Sequence, residues 1–315
     1  MWRFTFRRLL SAVPVLFVVS LVSFLIMWIV PGDIAAEIAG TSATPDQIDA
    51  IRERLGLDRP IWERAFEWYG NLLQGDLGWS YLLNRSVTDA VLERLPVTLS
   101  LAGLALVLAV VMGMGLGILA AARHRTPADQ ASMSLALLGL SVPDFWLGLM
   151  LIVLFGVMLG WLPTGGFVPI TEDFVGWLRS MTLPAFTLAV TQMGVIARMT
   201  RSAMLDVLGQ DYIRTARAKG MTGPVVIFKH ALLNALIPVV TLIGVLTGVL
   251  IGGAVVIEAV YSLPGVGRLI VGAIQRRDYP IIQGGLLITA STFVFVNIVI
   301  DLIYGWLDPR VRHDH

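Results

Sequence analysis

Long uncharged runs alternate with polar stretches along the chain. Six windows come close to the roughly 20 residues needed to cross about 30 Å of hydrocarbon: 9–30, 97–122, 131–160, 181–197, 231–257 and 279–307. Only the third and sixth contain a charge, Asp144 and Asp301. The fourth is the shortest, and snorkelling of Arg198 toward the interface lengthens it. Each window is read as one span, so the pattern predicts an all-α integral membrane protein with six transmembrane helices. Arg3, Arg7 and Arg8 before the first window resemble the start of a secretory signal. The apolar run of 9–30 exceeds the core of a cleaved signal, and a retained helix is expected over 1–31.

Two polar segments interrupt the spans. In 32–96, Thr44, Pro45 and Gln47 match an N-cap, an N1 proline and the third position of a capping box, and Gly56 closes that helix. Ile48, Ile51 and Leu55 form its apolar stripe. After Asp58 and Pro60, a second helical pattern gathers Ile61, Ala65, Phe66, Trp68, Tyr69, Leu72 and Leu73 on one face. A small folded helical segment outside the membrane is expected here; its alternative is a segment lying on the bilayer surface. In 198–233 a helix over Met204–Lys219, interrupted at Gly209, ends with Gly220 at C′, and Thr222 and Pro224 open a second short helix. Two helices around a glycine turn make a projecting knob. The other reading is a basic loop held against anionic headgroups.

Charge sets the orientation. With the N-terminus inside, the stretches 1–8, 123–130, 198–230 and 308–315 hold 13 Lys and Arg, against 10 in external stretches about twice as long. Basic density thus places both termini in the cytoplasm, with Arg268, Arg276 and Arg277 on the disfavoured side. At 56% hydrophobic and 14% charged the chain is far from a soluble domain, which is about a quarter charged. A net charge of +1 gives no sign of a nucleic-acid partner. Without cysteine there is no disulfide framework or thiolate site, and the histidines at 124, 230, 313 and 315 lack ligand spacing, so no metal site is expected. The two lysines, Lys219 and Lys229, stand outside any G-x-x-x-x-G-K-[ST] string, so no phosphate loop for ATP is present.

The run T-A-R-A-K-G at 215–220, followed by H-A-L-L-N-A-L-I-P at 230–238, resembles the coupling motif of the permease subunits of type I ABC importers in the dipeptide, oligopeptide and nickel family. The general motif begins Glu-Ala-Ala where this chain has Arg214, Thr215 and Ala216, a departure usual in that branch. Further strings similar to the family are L-G-L-D-R-P at 55–60, G-D-L-G-W-S at 75–80, R-L-P-V-T-L at 94–99, E-A-V-Y-S-L-P-G-V-G-R at 258–268 and R-D-Y-P at 277–280. The resemblance implies the type I permease fold over 97–307, with 198–233 as the cytoplasmic coupling region and 308–315 as a cytoplasmic tail, in a bacterial inner membrane. It implies a complex with a second homologous permease, two cytoplasmic ABC ATPases that bind the ATP and magnesium, and an external solute-binding protein. The chain would then be part of the path for peptides or similar small solutes, not an enzyme and without a cofactor of its own. Thr215, Ala216, Arg217, Ala218, Lys219 and Gly220 would sit in a groove on the ATPase and pass its motion to the spans, in alternating access.

Other positions carry weaker signals. Asp144, about 13 residues into its window, would lie near mid-membrane beside Pro143, and is read either as a pore-facing carboxylate for a cationic group or as a structural partner of a neighbouring helix. Gln192 is a second candidate for the path. Glu258, Pro264, Gly265 and Gly267 mark a structural turn. Glycines at 113, 115 and 117 and at 244, 248, 252 and 253 offer faces for close helix packing, with a hinge possible at 252–253. The alternative function is a self-contained secondary transporter or channel. It would require repeated halves or polar residues scattered over several spans, and no repeat joins 1–160 to 161–315.

Overall fold

The computed structural model describes residues 2–29, 34–40, 43–54 and 56–307. Leu55, the tail 308–315 with His313 and His315, and the side chains of Arg3, Arg7 and Asp301 lie outside what is described. In chain order the helices are α1 (Trp2–Ile29), α2 (Ile34–Ala39), α3 (Pro45–Arg54), α4 (Ile61–Leu73), α5 (Val87–Leu92), α6 (Leu95–Ala122), α7 (Pro127–Ser141), α8 (Asp144–Leu151), α9 (Phe174–Leu208), α10 (Asp211–Ala218), α11 (Gly223–Val225), α12 (Leu232–Val260), α13 (Val266–Gln275) and α14 (Tyr279–Leu307). Strands β1 (Trp79–Ser80) and β2 (Arg85–Ser86) pair antiparallel before α5.

Among the described residues, five helices are each long and apolar enough to span a membrane, and α7 with the helical run Asp144–Met158, bent by 101°, makes a sixth if the pair is counted as one broken span. The bend corrects the expectation of a straight third span. Val142 and Pro143 are extended, with ψ of 124° and 134°, because the proline ring excludes the α conformation from the residue before it. Asp144 is therefore the first residue of α8, and a depth counted along a straight helix does not apply to it. After α8 the backbone continues as a π-helical stretch over Ile152–Met158.

Two compact units make up the chain. The first holds Leu99–Leu263 and the adjoining ends of α1 and α14. Its centre is α9, which runs 35 residues, well beyond the expected 181–197 at both ends, and packs against α7, α8 and α12. Glycine lets these helices approach. A Cβ on Gly113 of α6 would stand 2.8 Å from Ile196 and from the Met193 carbonyl, and one on Gly117 would stand 2.6 Å from Thr200. Gly115 faces open space instead, so only two of the three expected glycines form the close face. In α12 the 252–253 pair lies within an unbroken helix. Tyr261 is fully buried; its hydroxyl lies 2.9 Å from Thr187 Oγ1 and donates to the Gly148 carbonyl at 3.2 Å, tying α8, α9 and the end of α12 together.

Phe6–Thr98 and Pro264–Val294 form the second unit. One bond of the expected capping box is present, the Thr44 amide donating to Gln47 Oε1 at 3.0 Å, and Gly56 closes α3 with φ of +61°. On α4, Trp68 packs on Phe24 of α1, Tyr69 packs on Phe17, and the Tyr69 hydroxyl meets that of Ser20 at 3.2 Å. Trp62, Phe66 and Leu73 of the same helix are exposed. The core gathers Leu77, Val87 and Val91 with Val266 and Ile270 of α13 and Ile281 of α14. Thr98 Oγ1 accepts from the Val266 amide at 3.0 Å, fixing the entry to α13.

Candidate coupling site

The run 215–220 belongs to α10 and its C-terminal turn, in the first unit. Gly209 ends α9, Gln210 is extended at the N-cap with ψ of 151°, and α10 follows. Ile213 and Ala216, three apart, fall on one face and are buried. Ile213 anchors the helix in a small core with Ala121, Met204, Val226, Ala231 and Ala235. Asn234 of α12 adds a polar tie, donating to the Tyr212 hydroxyl at 3.2 Å and to the His230 carbonyl at 2.8 Å. His230 packs here, and its Nε2 has no hydrogen-bond partner among the described residues.

The rest of the helix faces outward. Thr215, Arg217, Ala218, Lys219 and Gly220 are exposed, whereas Ala216 is an anchor rather than part of the outer surface. Thr215 Oγ1 donates back to the Asp211 carbonyl at 3.1 Å, and Arg214 pairs with Asp211 at 3.1 Å. The helix closes in a Schellman turn: the Gly220 amide reaches the Arg217 carbonyl at 2.9 Å, and the Met221 amide reaches that of Ala216 at 3.3 Å. This turn holds Gly220 at φ of +80°, with nothing within 4 Å of where a Cβ would stand. A side chain there meets backbone strain and no steric clash. Around the turn, Tyr212, Met221, Val225 and Phe228 are exposed beside Arg214, Arg217, Lys219 and Lys229.

One feature of the knob differs from expectation. The helix opened by Thr222 and Pro224 is not separate, because Gly223–Val260 is one continuous helical run. Within it Val226–Ala231 is π-helical, a wider turn joining the knob to the fifth span. The turn after α10 thus leads directly into a helix of membrane-spanning length. The sequence carries no simple signature for this turn, since V-I-F-K-H-A is compatible with an ordinary helix.

The path candidates also lie in the first unit. Asp144 accepts a hydrogen bond from Thr191 Oγ1 on α9, so it has a neutral partner on the neighbouring helix. Gln192 follows Thr191 and is buried. Glu258 is buried two residues before the end of α12. In the second unit, Gly265 is the extended N-cap of α13, Pro264 precedes it and Gly267 is buried in the first turn. An ion pair on a buried carboxylate was not among the expected features: the half-buried Arg201 of α9 donates from Nε and Nη2 to Asp129 of α7 at 2.7 and 2.9 Å, and the Arg125 amide adds a bond at 3.0 Å. The charges are 72 positions apart, and their one sequence signal is that both lie at the polar edges of apolar windows.

Residues 113–313 match the family described as binding-protein-dependent transport system inner membrane component, and 1–102 match the N-terminal part of such membrane components. A putative peptide transport system permease protein of Brucella abortus is 48% identical over 308 residues, covering 98% of each chain. The glutathione transport system permease protein of Escherichia coli K12 is 42% identical over 314 residues, covering 99% of this chain and all of that one. Inward-facing structures of the MetNI methionine ABC transporter share the fold, with a TM-score of 0.55 at 19% identity over 67% of this chain and 93% of that one.

Proposed function

This chain belongs to the family of inner-membrane components of binding-protein-dependent transport systems, and on that premise we propose that it carries peptides or similar small solutes inward while its 215–220 knob receives the motion of an ATPase. It is a multi-pass permease of the type I fold. The relatives named for peptides and for glutathione, itself a small peptide, support the solute class. A chain without G-x-x-x-x-G-K-[ST] needs its ATP, magnesium and hydrolysis from partner subunits. The assembly we infer contains a second permease, two ATPases and an external solute-binding protein, with both termini of this chain in the cytoplasm.

The observation that carries the coupling reading is the rigid mounting of α10. Buried Ile213 and Ala216 fix one face, the Schellman turn fixes its end, and an unbroken helix leads from Gly223 to Val260. Gly220→Val should strain the left-handed turn by about 1–2 kcal/mol while leaving the spans intact. In vesicles reconstituted with the whole complex, ATP-dependent uptake should fall at least several-fold while the complex still assembles. Uptake equal to wild type would remove the coupling role from this turn.

A further inference from the structure

The apolar run of α1 extends from Arg8 to Ile26, a length that crosses the hydrocarbon of a bilayer once. At a rise of about 1.5 Å per residue, Phe24 then lies close to one edge of the hydrocarbon and Phe17 close to its middle. Helix α4 meets α1 at both levels, within the second unit. The Trp68 ring stands 5.6 Å from that of Phe24, the Tyr69 ring 6.4 Å from that of Phe17, and the Tyr69 hydroxyl 3.2 Å from that of Ser20.

These contacts fix how α4 is rolled. Trp68 and Tyr69 are neighbours, about 100° apart around their helix, yet they touch α1 at rings about 10 Å apart along its axis. Turning from Trp68 to Tyr69 is therefore turning from the edge of the span toward its middle. A further turn in the same sense brings round Trp62, Leu73 and Phe66, which are 62%, 89% and 79% exposed. Glu67 and Asn71, also exposed, occupy the opposite arc with Arg64 and point back past the edge of the span. No residue of α4 is fully buried, so α1 covers only one side of its apolar arc. Phe17 itself is 57% exposed beside Tyr69, so the uncovered apolar surface of the span continues across this ring pair onto α4. An apolar strip aimed into hydrocarbon, with charged and amide groups on its reverse, suits the boundary between lipid headgroups and acyl chains.

We propose that α4 is an interfacial helix whose Trp62, Phe66 and Leu73 insert among the acyl chains of the leaflet at the C-terminal end of α1. In the orientation proposed above this is the outer leaflet. The inference needs only that α1 spans the membrane, so it goes beyond the importer reading and stands or falls separately from it.

The test uses the absence of cysteine. Phe66→Cys and Leu73→Cys each place a single thiol on the apolar strip, and Asn71→Cys places one on the opposite arc. Each thiol carries a bimane fluorophore, and the complex with the unaltered chain gives the background from its other subunits. In the assembled complex in lipid nanodiscs, bimane on the strip should lose roughly half its fluorescence when the phosphatidylcholine acyl chains carry bromine, and iodide in the water should leave it nearly unchanged. Bimane introduced at Asn71 should respond the other way, quenched by iodide and little affected by brominated lipid. Two positions on the strip keep the result readable if one variant fails to assemble. Quenching of the strip by iodide alone places it in water and overturns the proposal. Quenching by neither agent assigns the strip to a protein neighbour such as the second permease, which overturns the lipid assignment. Iodide quenching that the solute-binding protein abolishes gives the strip to that protein, with the same consequence. Bromine quenching at Asn71 equal to that on the strip overturns the roll of α4.

Discussion

The pair of Asp129 and Arg201 shows how one residue depends on another far away in sequence. Each is placed so that its charge is answered by a bidentate partner, with the Arg125 amide completing the carboxylate's bonds. Removing one partner leaves an uncompensated charge in a poorly solvated site, whereas removing both does not. Asp129→Asn should therefore lower the thermal midpoint of the detergent-solubilised protein by several degrees. Adding Arg201→Gln should recover part of that loss. Equal or greater loss in the double variant would mean that the pair does not carry the contact between α7 and α9. Asp278 obeys a different rule. Burial raises its carboxyl above the ordinary range, against the opposing bonds from Ser80 and Ile281. Protonation then favours the folded state, a contribution fully present below the ordinary carboxyl value of about 4 and lost as pH rises through the raised value. Asp278→Asn should flatten the fall in thermal midpoint over that window; an unchanged pH profile would contradict the burial argument. None of these partnerships was legible in the sequence. A pairing across 72 or 198 positions leaves no local periodicity to read.

Elements were legible where local chemistry decides them. The capping box at Thr44 and Gln47, the helix after Pro60 and the glycine-terminated α10 follow from short-range rules that the structure obeys. Packing decided what the sequence could not. Apolarity reports a helix deep in a bilayer equally well whether it is straight or broken, so Pro143 was needed to see the bend, and its 101° angle was beyond reach. In α9, charges such as Asp173, Arg179 and Arg201 mark the limits of apolar sequence and not the limits of helix, which runs on to Leu208. Helix α4 illustrates a face that can be tested. Trp68 sits 5.6 Å from Phe24, ring to ring, and Tyr69 joins Ser20, so α1 is the support of this segment. Trp68→Ala should raise the rate of limited proteolysis in 32–96 several-fold without changing the yield of membrane-inserted protein. Unchanged protease resistance would show that α4 is held by something other than this contact.

At the scale of the molecule, one long helical run carries the functional argument. From the knob, Gly223–Val260 passes through a π-helical turn and into the fifth span, the continuity on which the proposed coupling depends. Family and fold were legible because several different family-like strings, T-A-R-A-K-G among them, follow one another in order along most of the chain. The roll of α4 against α1 was not, since it is set by residues brought together only by folding. Orientation is testable on the cysteine-free chain. Single cysteines at Ser86 and Thr222 should react with an impermeant thiol reagent from opposite faces of the membrane, and labelling of both from one face would overturn the six-span topology. The most direct measurement uses Ala218→Cys, on the exposed side of α10 beside Gly220. In the assembled complex, a short bifunctional maleimide should join the thiol introduced at Ala218 to a single-cysteine ATPase subunit, with a yield that changes between the ATP-bound and nucleotide-free states. A Ser86→Cys control should give no such adduct. Failure of the Ala218→Cys chain to form the adduct in either state, in a complex that still hydrolyses ATP, would contradict the assignment of 215–220 as the coupling surface.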